Sequence, residues 1–334
     1  MKDFKSSNTL FTDKFWKGRR VLVTGAFGFI GSWLVHFLLQ QDAIVFAFVL
    51  PERKQSFSLE SISSKNLSII NGNIDDYESI KSAISNSNID SIFHLAAINS
   101  NFQTDTSPKL IFDTNILGTY NVLESARFNR TVKRIVIASS REAEDIPRTG
   151  DNSINGRPLR LPYQVSKISA ELIAQAYHDT YGLPVTVARF SNVYGGGDLN
   201  WIRLIPNTIK QVLSGSAPEL RSNGKMERDF IFVEDIVRAY LLLGDKAGEE
   251  GISGEIFYFG TGKFTSVSDV VKKITSLAGK TNLKPIIMNK SKNERIDESY
   301  LFEKEQKILG WTSKIDITVG LNRTFEWYKS YFGN

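Results

Sequence analysis

The sequence predicts an α/β protein with a doubly wound parallel sheet and a smaller α/β lobe toward its C-terminal end. Two observations support this prediction: short apolar runs alternate with longer amphipathic segments, and a glycine-rich turn joins the first run to the first segment. Several runs are continuously apolar, which is typical of strands buried on both faces. Strands separated by helices need right-handed crossovers, and these produce a parallel sheet.

The order of these elements divides the chain into two parts. The predicted strands of the sheet are Arg20–Thr24, Ala43–Val49, Leu67–Asn71, Ser91–Ala97, Arg134–Ser139 and Val185–Phe190. The predicted helices between them are Phe29–Gln40, Tyr77–Ile84, Leu110–Phe128 and Tyr163–Tyr181, the last ended by Gly182 and Pro184. Later helices are expected at Ile205–Ser214, Val233–Leu243 and Val267–Leu277. We expect residues 1–190 to form the main domain and 191–334 mainly the smaller lobe, with some strand and helix returning to the main domain.

Composition excludes several classes of function. The chain has 334 residues, of which 41% are hydrophobic and 23% charged, as in a soluble globular protein. Its net charge of +5 is spread along the chain, so we expect no nucleic-acid partner. The absence of cysteine excludes disulfides, a thiolate nucleophile and cysteine-ligated metal, and we expect no metal site. The longest apolar run, Ala43 to Leu50, is too short to span a membrane, so we expect a cytoplasmic protein.

The glycine-rich turn is the first candidate functional feature. It reads Val21-Leu-Val-Thr-Gly-Ala-Phe-Gly-Phe-Ile-Gly31, a strand followed by a turn and then a helix. Such a turn places a pyrophosphate on backbone N–H groups at the helix N-terminus. The first domain is therefore predicted to be a dinucleotide-binding Rossmann domain.

Tyr163 and Lys167 are the second candidate feature, because four residues apart on a helix they share one face. A phenolate can take the proton of a hydroxyl group while a hydride leaves the same carbon to a nicotinamide. Free tyrosine titrates near pH 10, so a nearby cation such as Lys167 is needed at neutral pH. Ser140 would hydrogen-bond the same hydroxyl. The alternative is a surface pair on an amphipathic helix.

Several motifs in fixed order resemble those of the extended short-chain dehydrogenase/reductases that act on nucleotide sugars, the NAD-dependent epimerase/dehydratase family. The resemblance covers roughly Phe15 to Tyr331. The motifs are Thr24-Gly-Ala-Phe-Gly-Phe-Ile-Gly31, His94-Leu-Ala-Ala97, Asp113-Thr-Asn-Ile-Leu-Gly118, Ser139-Ser140, Tyr163 with Lys167, Arg189-Phe-Ser-Asn192 and Arg228-Asp-Phe-Ile-Phe-Val-Glu-Asp235. Within the family, Phe15-Trp-Lys-Gly-Arg-Arg-Val21, Gly31-Ser-Trp-Leu34 and Gly195-Gly-Gly-Asp-Leu-Asn-Trp201 look most like CDP-glucose 4,6-dehydratases and GDP-mannose 4,6-dehydratase-like enzymes.

The resemblance implies a nucleotide-sugar 4,6-dehydratase, which oxidises C4, eliminates water across C5 and C6, and returns the hydride. Glu142 stands where many dehydratases carry their C5 base, whereas Arg141 stands where several carry an aspartic acid. Glu142 could instead be a solvated loop carboxylate. A 4-epimerase, the first alternative, needs only Ser140, Tyr163 and Lys167. A non-catalytic dinucleotide sensor is the second, and the intact tyrosine argues against it.

The resemblance also implies a cofactor site. NAD or NADP would be tightly bound and recycled, with Glu52 favouring NAD and Arg53 or Lys54 favouring NADP. His94 is expected to be a packed strand-end residue. The implied cofactor-binding residues are Gly25, Phe27, Gly28, Phe29, Ile30, Gly31, Glu52, Arg53, Asn73, Ile74, Leu95, Ala96, Ala97, Asn115, Tyr163, Lys167 and Phe190.

A substrate site and an oligomeric state are implied in the same way. Ser139, Asn192, Arg228 and Arg295 match positions that contact a nucleotide-diphosphate sugar, and guanidinium groups suit bidentate phosphate contacts. The base and the sugar are left open. Helices 110–128 and 163–181 resemble those that form a four-helix bundle in family homodimers.

Overall fold

The computed structural model describes residues 15–51, 64–99, 107–143, 153–154, 157–158, 161–289 and 302–333. The strands are β1 (Arg20–Thr24), β2 (Ile44–Val49), β3 (Leu67–Asn71), β4 (Ser91–His94), β5 (Arg134–Ala138), β6 (Ser153–Ile154), β7 (Arg157–Pro158), β8 (Val185–Phe190), β9 (Asn192–Tyr194), β10 (Glu219–Leu220), β11 (Glu227–Phe232), β12 (Ile256–Phe259), β13 (Phe264–Ser266) and β14 (Ile286–Ile287).

The helices lie between these strands. They are α1 (Phe29–Gln40), α2 (Tyr77–Asn86), α3 (Pro108–Phe112), α4 (Gly118–Arg127), α5 (Pro162–Tyr181), α6 (Leu204–Leu213), α7 (Val233–Lys246), α8 (Val267–Leu277), α9 (Glu303–Leu309) and α10 (Ile317–Tyr331). A π-helical turn, Asp113–Leu117, joins α3 to α4, and a 3₁₀ turn, Arg141–Ala143, follows β5.

The central sheet confirms the predicted fold class. Its seven strands lie in the order β12-β8-β5-β4-β1-β2-β3, and the five pairings from β8 to β3 are parallel. The chain moves outward from β1 in one direction to β3 and then resumes at β4 on the other side. This reversal defines a doubly wound sheet, and ligands bind beyond the carboxyl ends of its strands at that point. Val21, Leu22 and Val23 of β1 are fully buried, as the continuous apolar run predicts.

The chain forms two compact units. The first contains the described residues up to Phe190 together with Val237–Tyr258, and the second contains Ser191–Ile236 together with the described residues from Phe259 onward. In the second unit, β11 pairs in parallel with β9 and antiparallel with β13. Within the described residues, no helix has both the length and the apolar character needed to cross a membrane.

Two predicted elements end or break earlier than expected. The predicted strand Ser91–Ala97 ends at His94, and beyond it the N–H groups of Leu95 and Ala96 bond to the Thr24 hydroxyl. The predicted helix Leu110–Phe128 is not a regular α-helix, because a π-helical turn lies within it. The amide of Gly118 bonds to the carbonyl of Asp113, five residues earlier, and this wider turn separates α3 from α4.

Candidate active site

The glycine turn after β1 is shaped for close approach of backbone to a ligand. Gly25 has a φ of 69°, and a Cβ there would lie 2.7 Å from the amide nitrogen of Ala96. A Cβ on Gly31 would collide with the Gly25 carbonyl oxygen. Among the described residues, no side chain caps α1 at Gly28, and its first turn contains no acidic residue. The positive end of the helix dipole is thus available to a pyrophosphate, so these residues fit a dinucleotide.

Thr24 and His94 lie side by side at the carboxyl ends of β1 and β4. The Thr24 hydroxyl oxygen accepts hydrogen bonds from the amides of Leu95 and Ala96, so its proton is donated to His94 Nδ1, 2.8 Å away. His94 Nε2 must then carry the ring proton, which it donates to the Thr119 hydroxyl at 3.1 Å. Burial, together with the nearby charge of Lys167, lowers the pKa of His94 to about 3. His94 is a neutral, packed residue, as expected.

Asn115 connects this region to α5 from within the π-helical turn, and only 2% of its surface is exposed. Its carbonyl oxygen accepts from the amide of Ile98 at 2.8 Å. Its two N–H groups donate to the Ile98 carbonyl at 3.0 Å and to the Ser166 hydroxyl at 2.9 Å. Ser166 donates in turn to the Tyr163 carbonyl at 2.7 Å. The loop after β4 is therefore bonded to the turn of α5 that carries Tyr163.

Tyr163 and Lys167 do not form a surface pair. Their exposed fractions are 7% and 6%, so the shared helix face predicted for them is buried. The Lys167 ammonium donates to the carbonyl of Ala138, the last residue of β5, at 2.8 Å. Burial lowers the pKa of Lys167 to about 8, and the carboxylate of Glu171 opposes this shift. A buried ammonium in this position can stabilise a nearby phenolate.

Ser139 and Ser140 follow β5 directly, but their hydroxyls do different things. Ser139 is buried and donates a short hydrogen bond to Glu171. Ser140 is partly buried, and its hydroxyl oxygen accepts from the amide of Glu142 at 3.2 Å, which stabilises the 3₁₀ turn. Glu142 is exposed. Residues Glu144 and Asp145, which follow this turn in the sequence, lie outside the described residues.

Glu171 is the residue that sequence reasoning missed. It lies four residues after Lys167 on α5, is 3% exposed, and receives two hydrogen bonds from the Arg189 guanidinium at 2.8 and 2.7 Å. The available signal was its spacing: a carboxylate on the same helix face as Tyr163 and Lys167 needs a partner when that face is buried.

The other predicted cofactor residues surround the same edge of the sheet or lie outside the described residues. Asn73 is exposed and Ile74 buried just after β3, whereas Leu95, Ala96 and Ala97 are partly buried after β4. Phe190 ends β8, and its ring packs 4.8 Å from that of Tyr240. Glu52 and Arg53, on which the choice between NAD and NADP depends, lie outside the described residues.

The predicted substrate residues Asn192 and Arg228 belong to the second unit, where both neighbour Asp229. The Asn192 amide donates to the Asp229 carbonyl at 3.2 Å, while the Asp229 carboxylate accepts from Ser191, Thr261 and Gly262. In the described part of the chain, the buried Nε of Arg228 has no hydrogen-bond partner. A buried guanidinium N–H without a partner fits an anionic ligand. Arg295 lies outside the described residues.

Comparison with known families and relatives agrees with this geometry. The model of the NAD dependent epimerase/dehydratase family matches residues 21–259. The human dTDP-D-glucose 4,6-dehydratase is 31% identical over 330 residues, which cover 95% of this chain and 91% of the relative. A trifunctional UDP-glucose 4,6-dehydratase/UDP-4-keto-6-deoxy-D-glucose 3,5-epimerase/UDP-4-keto-L-rhamnose-reductase from Arabidopsis thaliana is 28% identical over 95% of this chain, which spans about half of that relative, 48%.

Solved structures show the same similarity. The epimerase Mth375 from Methanothermobacter thermautotrophicus has a TM-score of 0.86 at 26% identity, and 98% of each chain is covered. The dTDP-glucose 4,6-dehydratase DesIV from Streptomyces venezuelae, solved with NAD and TYD bound, has a TM-score of 0.81 at 27% identity, covering 94% of this chain and 98% of that one. Both an epimerase and a dehydratase therefore share this architecture over nearly the full length.

Proposed function

This chain belongs to the NAD dependent epimerase/dehydratase family, and from that membership we propose that it is a nucleotide-sugar 4,6-dehydratase. The observation that carries the proposal is the buried Tyr163–Lys167 pair, anchored to the end of β5 by the bond from Lys167 to Ala138. Relatives with dehydratase activity support it, because one is 31% identical over nearly all of this chain.

Oxidation at C4 would use three side chains of this site. Tyr163 is the base for the C4 hydroxyl, and the Lys167 ammonium stabilises its phenolate. The Ser140 hydroxyl orients the substrate hydroxyl beside them. When bound, the nicotinamide dinucleotide accepts the C4 hydride and later returns it.

Elimination of water needs a base at C5, and we assign this role to Glu142. Its side chain is exposed on the turn after β5, two residues beyond Ser140. Arg141 does not give up a proton near neutral pH, so the departing hydroxyl must be protonated by another group or by water. Ketone formation at C4 acidifies the C5 proton, and the elimination therefore follows oxidation.

NAD is the cofactor that we propose. The family is NAD dependent, and the Gly25, Gly28 and Gly31 turn offers a helix N-terminus without a competing acidic side chain in the first turn. The substrate diphosphate is assigned to Arg228 and Arg295, with Asn192 as a further substrate contact, whereas the Ser139 hydroxyl already donates its proton to Glu171. The partnerless Nε of Arg228, within the described residues, supports this assignment.

A 4-epimerase is the second candidate, and Arg141 favours it. An epimerase needs only Ser140, Tyr163 and Lys167, so the missing aspartic acid would be immaterial. The similarity to the Mth375 epimerase also supports it. A non-catalytic dinucleotide sensor has little support, because the family consists of epimerases and dehydratases and the catalytic pair is intact.

We also propose that the protein acts in the cytoplasm and serves polysaccharide biosynthesis. It would do so as a homodimer in which α3, α4 and α5 of each copy contribute to a four-helix bundle. These helices carry large exposed apolar side chains, which favour contact with a second copy. They are Leu110, Leu117, Tyr120, Phe128, Leu172 and Tyr181, each between 40% and 66% exposed.

The test is incubation of the purified protein with NAD or NADP and a panel of CDP-, GDP-, UDP- and dTDP-hexoses, with product mass as the readout. Loss of one water establishes the dehydratase. The Glu142→Gln variant should then stop elimination but still transfer the C4 hydride to the cofactor, which is seen as reduction of NAD in the presence of the sugar. A product of unchanged mass establishes the epimerase, and no turnover with any sugar contradicts both.

A further inference from the structure

Glu171, Arg189 and Ser139 form a buried network of one ion pair and one further hydrogen bond, and its carboxylate interacts with Lys167. Glu171 and Arg189 side chains are 4% and 16% exposed. The Glu171 carboxylate accepts both N–H groups of the Arg189 fork and the Ser139 hydroxyl, so three of its lone-pair sites are used. The network joins α5, the strand β8 and the end of β5.

We propose that Glu171 is a positioning residue for this reaction: it fixes the β5 end against α5 and balances the charge of Arg189 beside Lys167. The inference rests on the proposed function in one respect: Glu171 can position the reaction only if Tyr163 is the base.

The positional argument follows from which atoms are bonded. Ser139 immediately precedes Ser140, and Ala138 immediately precedes Ser139. Two consecutive residues of this strand end are thus bonded to two consecutive turns of α5, Ala138 to Lys167 and Ser139 to Glu171. These two bonds add to the backbone bond from the Ser139 amide to the Ala188 carbonyl, and together they fix the strand end that carries Ser140 against α5.

The electrostatic argument concerns the charge of Lys167. Glu171, on the same helix, and His94, on β4, each interact electrostatically with Lys167. Arg189 of β8 is bonded to the Glu171 carboxylate. Tyr163, also on α5, interacts with Tyr240 of α7. His94 is neutral, whereas the Glu171 carboxylate acts on the ammonium and is itself bonded to the Arg189 guanidinium. Glu171 raises the pKa of Lys167 and burial lowers it to about 8. Removing Glu171 takes a negative charge from the surroundings of Lys167 and removing Arg189 takes a positive one, so the two removals should shift the pKa of Lys167 in opposite directions.

Glu171→Gln and Arg189→Met are the decisive variants, read by NMR titration of ¹³C-labelled lysine with the Lys167 signal assigned by Lys167→Arg. Glu171→Gln should lower the pKa of Lys167 and Arg189→Met should raise it, each by about half a unit or more. The alkaline limb of the pH–rate profile should move the same way in each variant. In the double variant Glu171→Gln/Arg189→Met, the pKa of Lys167 should lie between the values of the two single variants. This variant is the control for misfolding, because it removes both charges of the ion pair and leaves neither buried without the other.

Arg189→Lys separates charge from position. It keeps the cation but loses the fork, so the Lys167 titration should stay near wild type while kcat falls about tenfold at little changed KM. Glu234→Gln is the control, because it breaks another buried carboxylate–arginine pair, with Arg323, in the other unit. It should leave the Lys167 titration unchanged.

Shifts in the same direction for Glu171→Gln and Arg189→Met, or no shift in either, would overturn the inference. The NMR titration needs no substrate, so it is informative even if the chain turns over no nucleotide sugar. Failure of the proposed function would appear as absent turnover with the opposite shifts intact. Failure of the inference would appear as turnover without those shifts.

Discussion

Lys167 is bonded to the carbonyl of Ala138, so an ammonium on α5 is attached to the last residue of the strand that leads into Ser140. The bond is 2.8 Å long and both partners are largely enclosed. A hydrogen bond to a carbonyl leaves the ammonium two further protons, which are available to a phenolate or a ribose hydroxyl. The position of the charge is therefore set by the protein before any ligand arrives.

Tyr163→Phe removes the proposed base while keeping the ring. We expect kcat to fall by about 10²- to 10⁴-fold, because general-base catalysis contributes that range. Binding of the dinucleotide, measured by calorimetry, should be retained because the glycine turn is unchanged. Unaltered turnover in this variant would contradict the assignment of Tyr163 as the base.

The pKa of Lys167, about 8, predicts the alkaline limb of the pH–rate profile. Below that pH the ammonium is charged and stabilises the phenolate, and above it kcat/KM should decline as the charge is lost. Lys167→Arg should abolish the decline, because a guanidinium does not deprotonate in this range, although kcat itself will be lower. The same decline in both proteins would assign the limb to another group.

His94 predicts an acid dependence of stability. Its folded-state pKa is lowered from 6.5 to about 3, so between these values only the unfolded chain is protonated there. Stability is then lost as the pH falls below 6.5, by about 1.4 kcal/mol per unit. Between pH 7 and 5, the wild-type protein should lose about 2 kcal/mol more than His94→Gln in urea unfolding. Equal losses would show that His94 is not neutral in the fold.

Gly25→Ala should weaken dinucleotide binding and lower stability. Its added Cβ meets the backbone of Ala96 at a positive φ, whereas Gly182, with a φ of 64°, has nothing within 4 Å of an added Cβ. Gly182→Ala is the matched control, with a backbone cost of about 1–2 kcal/mol and unchanged cofactor affinity. Thermal unfolding with and without NAD distinguishes the two variants. If NAD stabilises both to the same extent, the glycine turn is not the dinucleotide site.

Leu172→Glu should produce a monomer if α5 lies in the dimer interface. Leu172 is 60% exposed on that helix, and a buried carboxylate without a partner would oppose assembly. Val319→Glu, 47% exposed on α10, should not change the mass measured by light scattering. A wild-type protein that is already monomeric would contradict the bundle.

The strand and helix periods predicted most of the main sheet. β1, β3 and β8 have their predicted bounds, and α1 and α8 do too, because apolar runs or amphipathic helical patterns in the local sequence mark them. The helices α9 and α10 were not predicted, and neither were the short strands β9, β11 and β13. Those strands are three to six residues long and pair with partners distant in sequence, so no local period marks them.

Site residues divide in a similar way. Tyr163, Lys167 and the glycines follow from motif spacing, because a helix or a turn brings near neighbours together. The bond between Ser139 and Glu171 joins residues 32 apart, and the ion pair of Glu171 with Arg189 joins residues 18 apart. Such contacts depend on how α5 packs on the sheet, and spacing alone does not predict them.

The five-residue hydrogen bond between Gly118 and Asp113 acts as a phase shift within one continuous helical path. It accommodates one residue more than a regular α-helical turn, which advances every side chain beyond it by about 100°. Deleting a single residue from 113–117 would restore a regular helix at no obvious local cost. It would nevertheless rotate Asn115 away from Ser166 or turn the exposed face of α4 away from its present direction, so the length of this segment is constrained at both of its ends.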